Sequence, residues 1–141
     1  MHIFQELVNT LKRFGLEGIQ KYYSLYEGKV LDNDDPNKQG RVKVECSKIG
    51  AGQSIGWAYP ISRNNFVSIP KVGDSVWLFF STGNARFPRY IHSWWGEDDM
   101  PEKALDDYPN VHLWETSTGN ILLMNDVTGK VYIENNKGAF D

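Results

Sequence analysis

Apolar residues near the start of the chain recur at Ile3, Phe4, Leu7, Val8, Leu11 and Phe14. Steps of one, three and four place them on one face of an α-helix. The pattern predicts a helix running to Gly15, a residue suited to a helix C-terminus. Glu17 to Leu25 brings Ile19, Tyr22 and Tyr23 together and predicts another helical turn or two. A helix this short is marginal unless it lies on something. Part of the stripe is therefore expected to cover an open end of the following domain, and the rest to dock on a partner.

From Tyr26 the period shortens. Residues 27–31 read as a strand, and the polar cluster 32–40 as a turn. Residues 41–45 alternate strictly, with Val42 and Val44 inward. A Gly-rich loop is expected over 49–56, and an aromatic strand ending at 57–60. A short strand is expected at 66–69, a turn at 70–74, a long strand at 75–80, a turn at 82–84 and a strand at 89–94. About five strands without interleaved helices predict an all-β sandwich or small barrel, and a five-stranded Greek-key barrel of the OB type fits the count. Residues 97–111 are acidic and read as a linker. Three short strands follow at 112–116, 120–124 and 131–134, with turns at 117–120 and 126–129. Such strands bury no face alone, so they are expected to join the barrel or pair with other chains. The predicted plan is an N-terminal helical segment (1–25), a barrel (26–96), a linker (97–111) and a C-terminal strand extension (112–141).

Composition narrows this picture slightly. A length of 141 residues suggests one domain with short appendages. The 13% aromatic content favours strands. A formal net charge of −3 lacks the electrostatic footprint of a phosphate binder. Cys46 is the single cysteine, so no intrachain disulfide forms, which suits a reducing compartment. Polar and charged residues interrupt the first fourteen positions, as no signal-peptide core would, and the apolar runs are too short to span a bilayer. These features predict a soluble protein made in the cytosol.

Candidate chemistry is sparse. His2, His92 and His112 stand far apart, without metal-ligand spacing. His92 reads as a packed or rim histidine and Cys46 as buried and inert. The sequence has no nucleophile elbow, P-loop or dinucleotide fingerprint. No catalytic residue, metal or cofactor is predicted, and the chain is expected not to be an enzyme. The OB reading does raise single-stranded nucleic acid, which such barrels bind with aromatics in a basic groove. Trp57, Tyr59, Phe66, Trp77, Phe79, Tyr90, Trp94 and Trp95 supply rings, whereas Arg41, Lys43, Arg63, Lys71, Arg86 and Arg89 are the few basic residues nearby. A single-strand-binding OB module is the alternative function, although the acidic balance argues against it, and no nucleic acid is expected as a partner.

Specific residues carry a likeness. The run Asp32-x-x-Asp35-Pro36-x-x-x-Gly40-Arg41-Val42-x-Val44 resembles the opening of the OB domain in phage baseplate central-spike proteins and VgrG-type spikes of type VI secretion systems. Trp57-Ala58-x-Pro60, then Pro70-x-x-Gly73-Asp74-x-Val76-x-x-x-Phe80, then Phe87-Pro88-Arg89-Tyr90-Ile91 resemble that family's later segments in the same order. Residues 115–126 are similar to the stretch that starts a trimeric β-helix or β-prism needle there. The resemblance implies a structural component of a contractile phage tail baseplate, a central hub or spike protein or its injection-system counterpart. It would form a homotrimer, partner the baseplate hub and tail tube proteins, and join them to a membrane-piercing tip, with a spike-tip protein at the C-terminal end. Host membrane would be met only through the assembled spike. The location implied is the virion tail baseplate, assembled in the host cytoplasm. Departures are a needle that stops almost at once, the absence of a lysozyme-like or effector domain after the barrel, and a helix outside the resemblance. Candidate trimer or hub contacts are Phe4, Leu7, Leu11, Trp94, Trp95, Tyr108, Trp114, Ile121, Leu122, Leu123 and Met124, because large apolar side chains make good interface anchors. Core packing is the competing reading of each.

Overall fold

The computed structural model describes residues 2–50, 52–61, 65–93 and 95–137. The chain divides into two compact units, one ending at residue 94 and the other starting at residue 95.

In the first unit, the helix α1 spans His2–Phe14 and runs into a 3-10 turn at Gly15–Ile19. Five strands follow: β1 (Tyr26–Asp32), β2 (Val42–Glu45), β3 (Ser54–Pro60), β4 (Ser75–Phe80) and β5 (Pro88–His92). They close into a barrel in the order β1-β2-β3-β5-β4. All neighbours are antiparallel except β3 and β5, which run parallel. This is the predicted five-stranded OB-type barrel with its N-terminal helix.

Alternation builds the interior. Val42 and Val44 from β2, and Val76, Leu78 and Phe80 from β4, point inward at every second position and are buried. Tyr26, Val30, Cys46, Ala58 and Tyr90 complete the cluster. Gly28 holds the inward position between Tyr26 and Val30. A Cβ there would meet Leu78 Cδ1 at 2.5 Å, so glycine is what lets β4 fill the barrel with a leucine. Tyr22, Tyr26 and Phe80 stack edge-on or tilted, with centroids 5.6–5.9 Å apart. Tyr22 N donates to the carbonyl of Gly83 at 2.9 Å. The chain just after the 3-10 turn therefore packs on the core, while α1 has no buried residue of its own. On the α1 stripe Val8 and Leu11 are half-buried and the other apolar residues are exposed. The aromatic rings of Tyr22 and Tyr26 meet the core.

Two local expectations also change. No strand forms at 66–69, where Phe66 and Val67 are exposed. In a closed barrel both edges of every strand are taken, so nothing is left for this run to pair with. The Gly-rich stretch is more ordered than a loop. Ser47–Gly50 makes one helical turn, α2, and β3 already begins at Ser54. The register slips there: Val44 faces Gly56 but Glu45 faces Ser54, leaving Ile55 as the extra residue of a bulge, packed on the core.

In the second unit, β6 (Val111–Glu115), β7 (Ile121–Asn125) and β8 (Lys130–Glu134) form an antiparallel sheet in chain order. Tight turns join them, with Gly119 at φ +85 and Gly129 at φ +71. The Asn125 side chain caps the second turn, accepting from the backbone N–H groups of Val127 and Thr128 at 2.8 and 3.2 Å. The acidic stretch before β6 contains a 3-10 turn at Glu102–Ala104.

Candidate functional site

Two surfaces stand out, and each follows from strand alternation. The first is on the β6-β7-β8 sheet. Register aligns Trp114, Leu122 and Ile133 in one row and His112, Met124 and Val131 in the next. These six residues share a face, and five of them are apolar. Val131 and Ile133 are 71% and 60% exposed, with Trp114, Leu122 and Met124 each exposed by 40% or more.

The opposite face is treated differently. Ile121 and Leu123 are buried, and Leu113 and Tyr132 are half-buried beside them. Residues of the acidic stretch lie across it. Lys103 sits 5.8 Å from the centre of the Tyr132 ring and pairs with Glu134 at 3.0 Å. Asn125 Nδ2 donates to Asp107 Oδ2 at 2.7 Å. Residues of the acidic stretch thus cover one side of the sheet, whereas the other side, an apolar one, is exposed among the described residues. An apolar face on a sheet of three short strands marks an interaction surface.

The predicted contact residues distribute accordingly. Trp114, Leu122 and Met124 come together on the open face. Ile121 and Leu123 point the other way, into their own unit. Trp95 and Tyr108 lie before β6 and are 63% and 64% exposed. Phe4 and Leu7 are exposed and Leu11 half-buried on α1, in the first unit. Trp94 lies outside the described residues. Val131 and Ile133 were missed by the sequence reading, although their alternation in β8 could have placed them on the same face as Leu122.

The second surface is on the outside of the barrel and centres on a buried carboxylate. Asp35 is 4% exposed. It accepts from the backbone N–H groups of Asn37, Gln39 and Arg41 at 2.9, 2.8 and 3.2 Å, and from Arg41 Nε and Nη2 at 3.1 and 2.8 Å. The Arg41 guanidinium, followed by these backbone donors, holds the carboxyl well below the usual carboxylate range. Held this way, Arg41 lies over Trp57 and Tyr59, 5.5 and 5.4 Å from the ring centres. Lys43 also lies over Trp57, at 5.2 Å, and Arg89 over Tyr59, at 4.9 Å. The result is a ladder in which cations and rings alternate across β2, β3 and β5.

Neither surface has catalytic geometry. Among the described residues no group of three or more His, Cys, Asp or Glu is arranged to hold a metal ion. Burial pushes the Cys46 thiol up, away from the reactive thiolate. Burial also pushes Tyr90 up to about 12, and its hydroxyl donates to the carbonyl of Gly40 at 2.7 Å, a structural bond that ties β5 to the β1–β2 loop. Gly40 itself has φ +74, in the left-handed region where glycine is favoured. No helix among the described residues is long and apolar enough to cross a membrane.

No curated protein matches the chain. A family model does: the type VI secretion system/phage-baseplate injector OB domain matches residues 26–95, the span of the closed barrel.

Proposed function

Residues 26–95 belong to the type VI secretion system/phage-baseplate injector OB-domain family, a structural family of the baseplate, and from that premise we propose that the chain is a central spike or hub component that works as a homotrimer. In this reading three copies bring their β6-β7-β8 sheets together through the Trp114, Leu122, Met124, Val131 and Ile133 face. The apolar stripe of α1, with exposed Phe4 and Leu7 and half-buried Leu11, docks on the hub or tail tube, and the C-terminal end meets a tip protein. The protein resides in the tail baseplate, and its role is structural rather than enzymatic.

The observation that carries this reading is the open apolar face on a small sheet directly after an injector OB domain. Its five apolar side chains are poorly explained in a monomer and well explained by three-fold burial. A closed ring also satisfies the outer strands β6 and β8, whose outer edges have no sheet partner among the described residues.

Mass in solution tests it. Light scattering of the full chain across a concentration series is expected to give three chains per particle. Leu122→Glu, which points outward and spares the chain's own core, is expected to weaken the trimer by at least about tenfold, the loss of roughly 1.4 kcal/mol. Barrel circular dichroism should not change. A strict monomer at high concentration, with Leu122→Glu indistinguishable from it, would sink the trimer.

A further inference from the structure

The cation–ring ladder on the barrel is unused by the trimer contact described above. It is nevertheless a built feature. Asp35 fixes Arg41, and Arg41 in turn packs over both Trp57 and Tyr59, so each ring carries two cationic side chains. Among the described residues Arg41 is ion-paired, to Asp35, whereas Lys43 and Arg89 have no carboxylate within salt-bridge distance. Asp32 faces Lys43 in the strand register, but its carboxylate accepts from the backbone N–H of Asp34. The ladder therefore presents two cations, each lying over a ring, that have no carboxylate partner among the described residues.

Its form selects among anions. A nucleobase binds an OB barrel by stacking on a ring, and here the rings of Trp57 and Tyr59 already hold guanidinium and ammonium groups. Compact carboxylates suit such a surface better. They reach the exposed side of Lys43 and Arg89 without displacing either from its ring. The same chain carries a strongly acidic stretch: residues 97–107 hold six acidic residues against one lysine. Lys103, that lysine, is committed to Glu134, while Glu97, Asp98, Glu102 and Asp106 stand exposed. A three-fold ring needs each chain to present both halves of a head-to-tail contact, and this chain carries both signs on separate units.

We propose that the Lys43–Arg89 ladder receives the acidic stretch 97–107 of a second copy, so that each barrel in the trimer holds its neighbour's carboxylates. This rests on the trimeric reading given above. The contact would fix the rotational order of the three barrels through charge, whereas the apolar sheet faces supply the association itself.

Zero-length carbodiimide cross-linking of a mixture of normal and heavy-nitrogen-labelled full chains tests it. The expected product joins the Lys43 amine to Glu97, Asp98, Glu102 or Asp106 in pairs of mixed isotope. Lys43→Arg should remove that product and leave the trimer intact. Lys43→Glu with Arg89→Glu should weaken the trimer about tenfold and flatten its salt dependence. Mixing that variant with Asp98→Lys and Asp106→Lys chains should restore part of the loss. A trimer that forms with no mixed-isotope product at Lys43, and that is indifferent to charge reversal, overturns this proposal alone. A product confined to single chains, or single-stranded oligonucleotide binding abolished by Lys43→Glu, also overturns it. A strict monomer overturns this proposal together with the trimer.

Discussion

Asp35 shows how much one side chain organises. Its carboxylate gathers three backbone N–H groups and a guanidinium into a nine-residue turn between β1 and β2, and the same bonds aim Arg41 at two aromatic rings. Because its folded pKa is depressed, the ionised form is the one that favours folding. That contribution is complete above the unfolded carboxylate value of about 3.9 and is lost as pH falls below it toward the folded value. Asp35→Asn should therefore melt at lower temperature than the parent at neutral pH, and the gap between the two should close as the pH is taken below about 4. Thermal melts of both proteins across that range check this, and a gap independent of pH would contradict it. The sequence placed Asp35 and Pro36 within a polar turn over 32–40, since aspartate and proline each favour one. It did not reveal that Arg41, six residues on, folds back onto the same oxygens, because that depends on where β2 begins and which way its side chains face.

Strands and the helix were legible to different degrees, for physical reasons that separate them. Residues 41–45 carry strict alternation and formed a strand with Val42 and Val44 inward as predicted, and the long strand expected at 75–80 formed too, although its nearly continuous apolar run did not mark which side faces in. The α1 stripe is equally clear, yet its period tells only that one face is apolar, and not what lies on it. Residues 66–69 look like a strand in composition and are none, since pairing depends on a vacant edge that composition does not record. Gly28 was overlooked because a glycine in a strand reads as a weakness, whereas here it clears space for Leu78. The open sheet face was half legible: Leu122 and Met124 were named together with Ile121 and Leu123, and only strand register separates the two pairs. Leu78 is fully buried at the centre of β4. Leu78→Ala should cost about 3 kcal/mol in barrel stability by loss of contacts and creation of a cavity. Urea denaturation followed by near-ultraviolet circular dichroism reads this, and a cost under about 1 kcal/mol would mean that neighbouring strands collapse into the space.

At the scale of the whole molecule, the two units are built on opposite principles. The first closes on itself, with each barrel strand paired on both sides. The second is a sheet with one covered face and one apolar face in water. If the proposed trimer forms, their stabilities should respond differently to concentration, because a unit completed by other copies gains from mass action. Amide hydrogen exchange should show protection in β6, β7 and β8 that rises with protein concentration, beside barrel protection that does not. Equal behaviour of the two sets would contradict this. The closure of the barrel has a further consequence. Between β3 and β5 there are two registered pairs, Tyr59 with Arg89 and Pro60 with Tyr90, and proline brings no N–H; β4 and β5 share five. The Ile61 N–H to Tyr90 bond at 2.9 Å and the stacking of Arg89 on Tyr59 are what reinforce this short join. Stretched along its chain, the domain should yield there first, unzipping from a tube into a curled ribbon with most of its rungs intact. In single-molecule pulling, Arg89→Ala should lower the force of that first opening and leave later steps as they were. A barrel made this way behaves under tension less like a rivet than like a clasp.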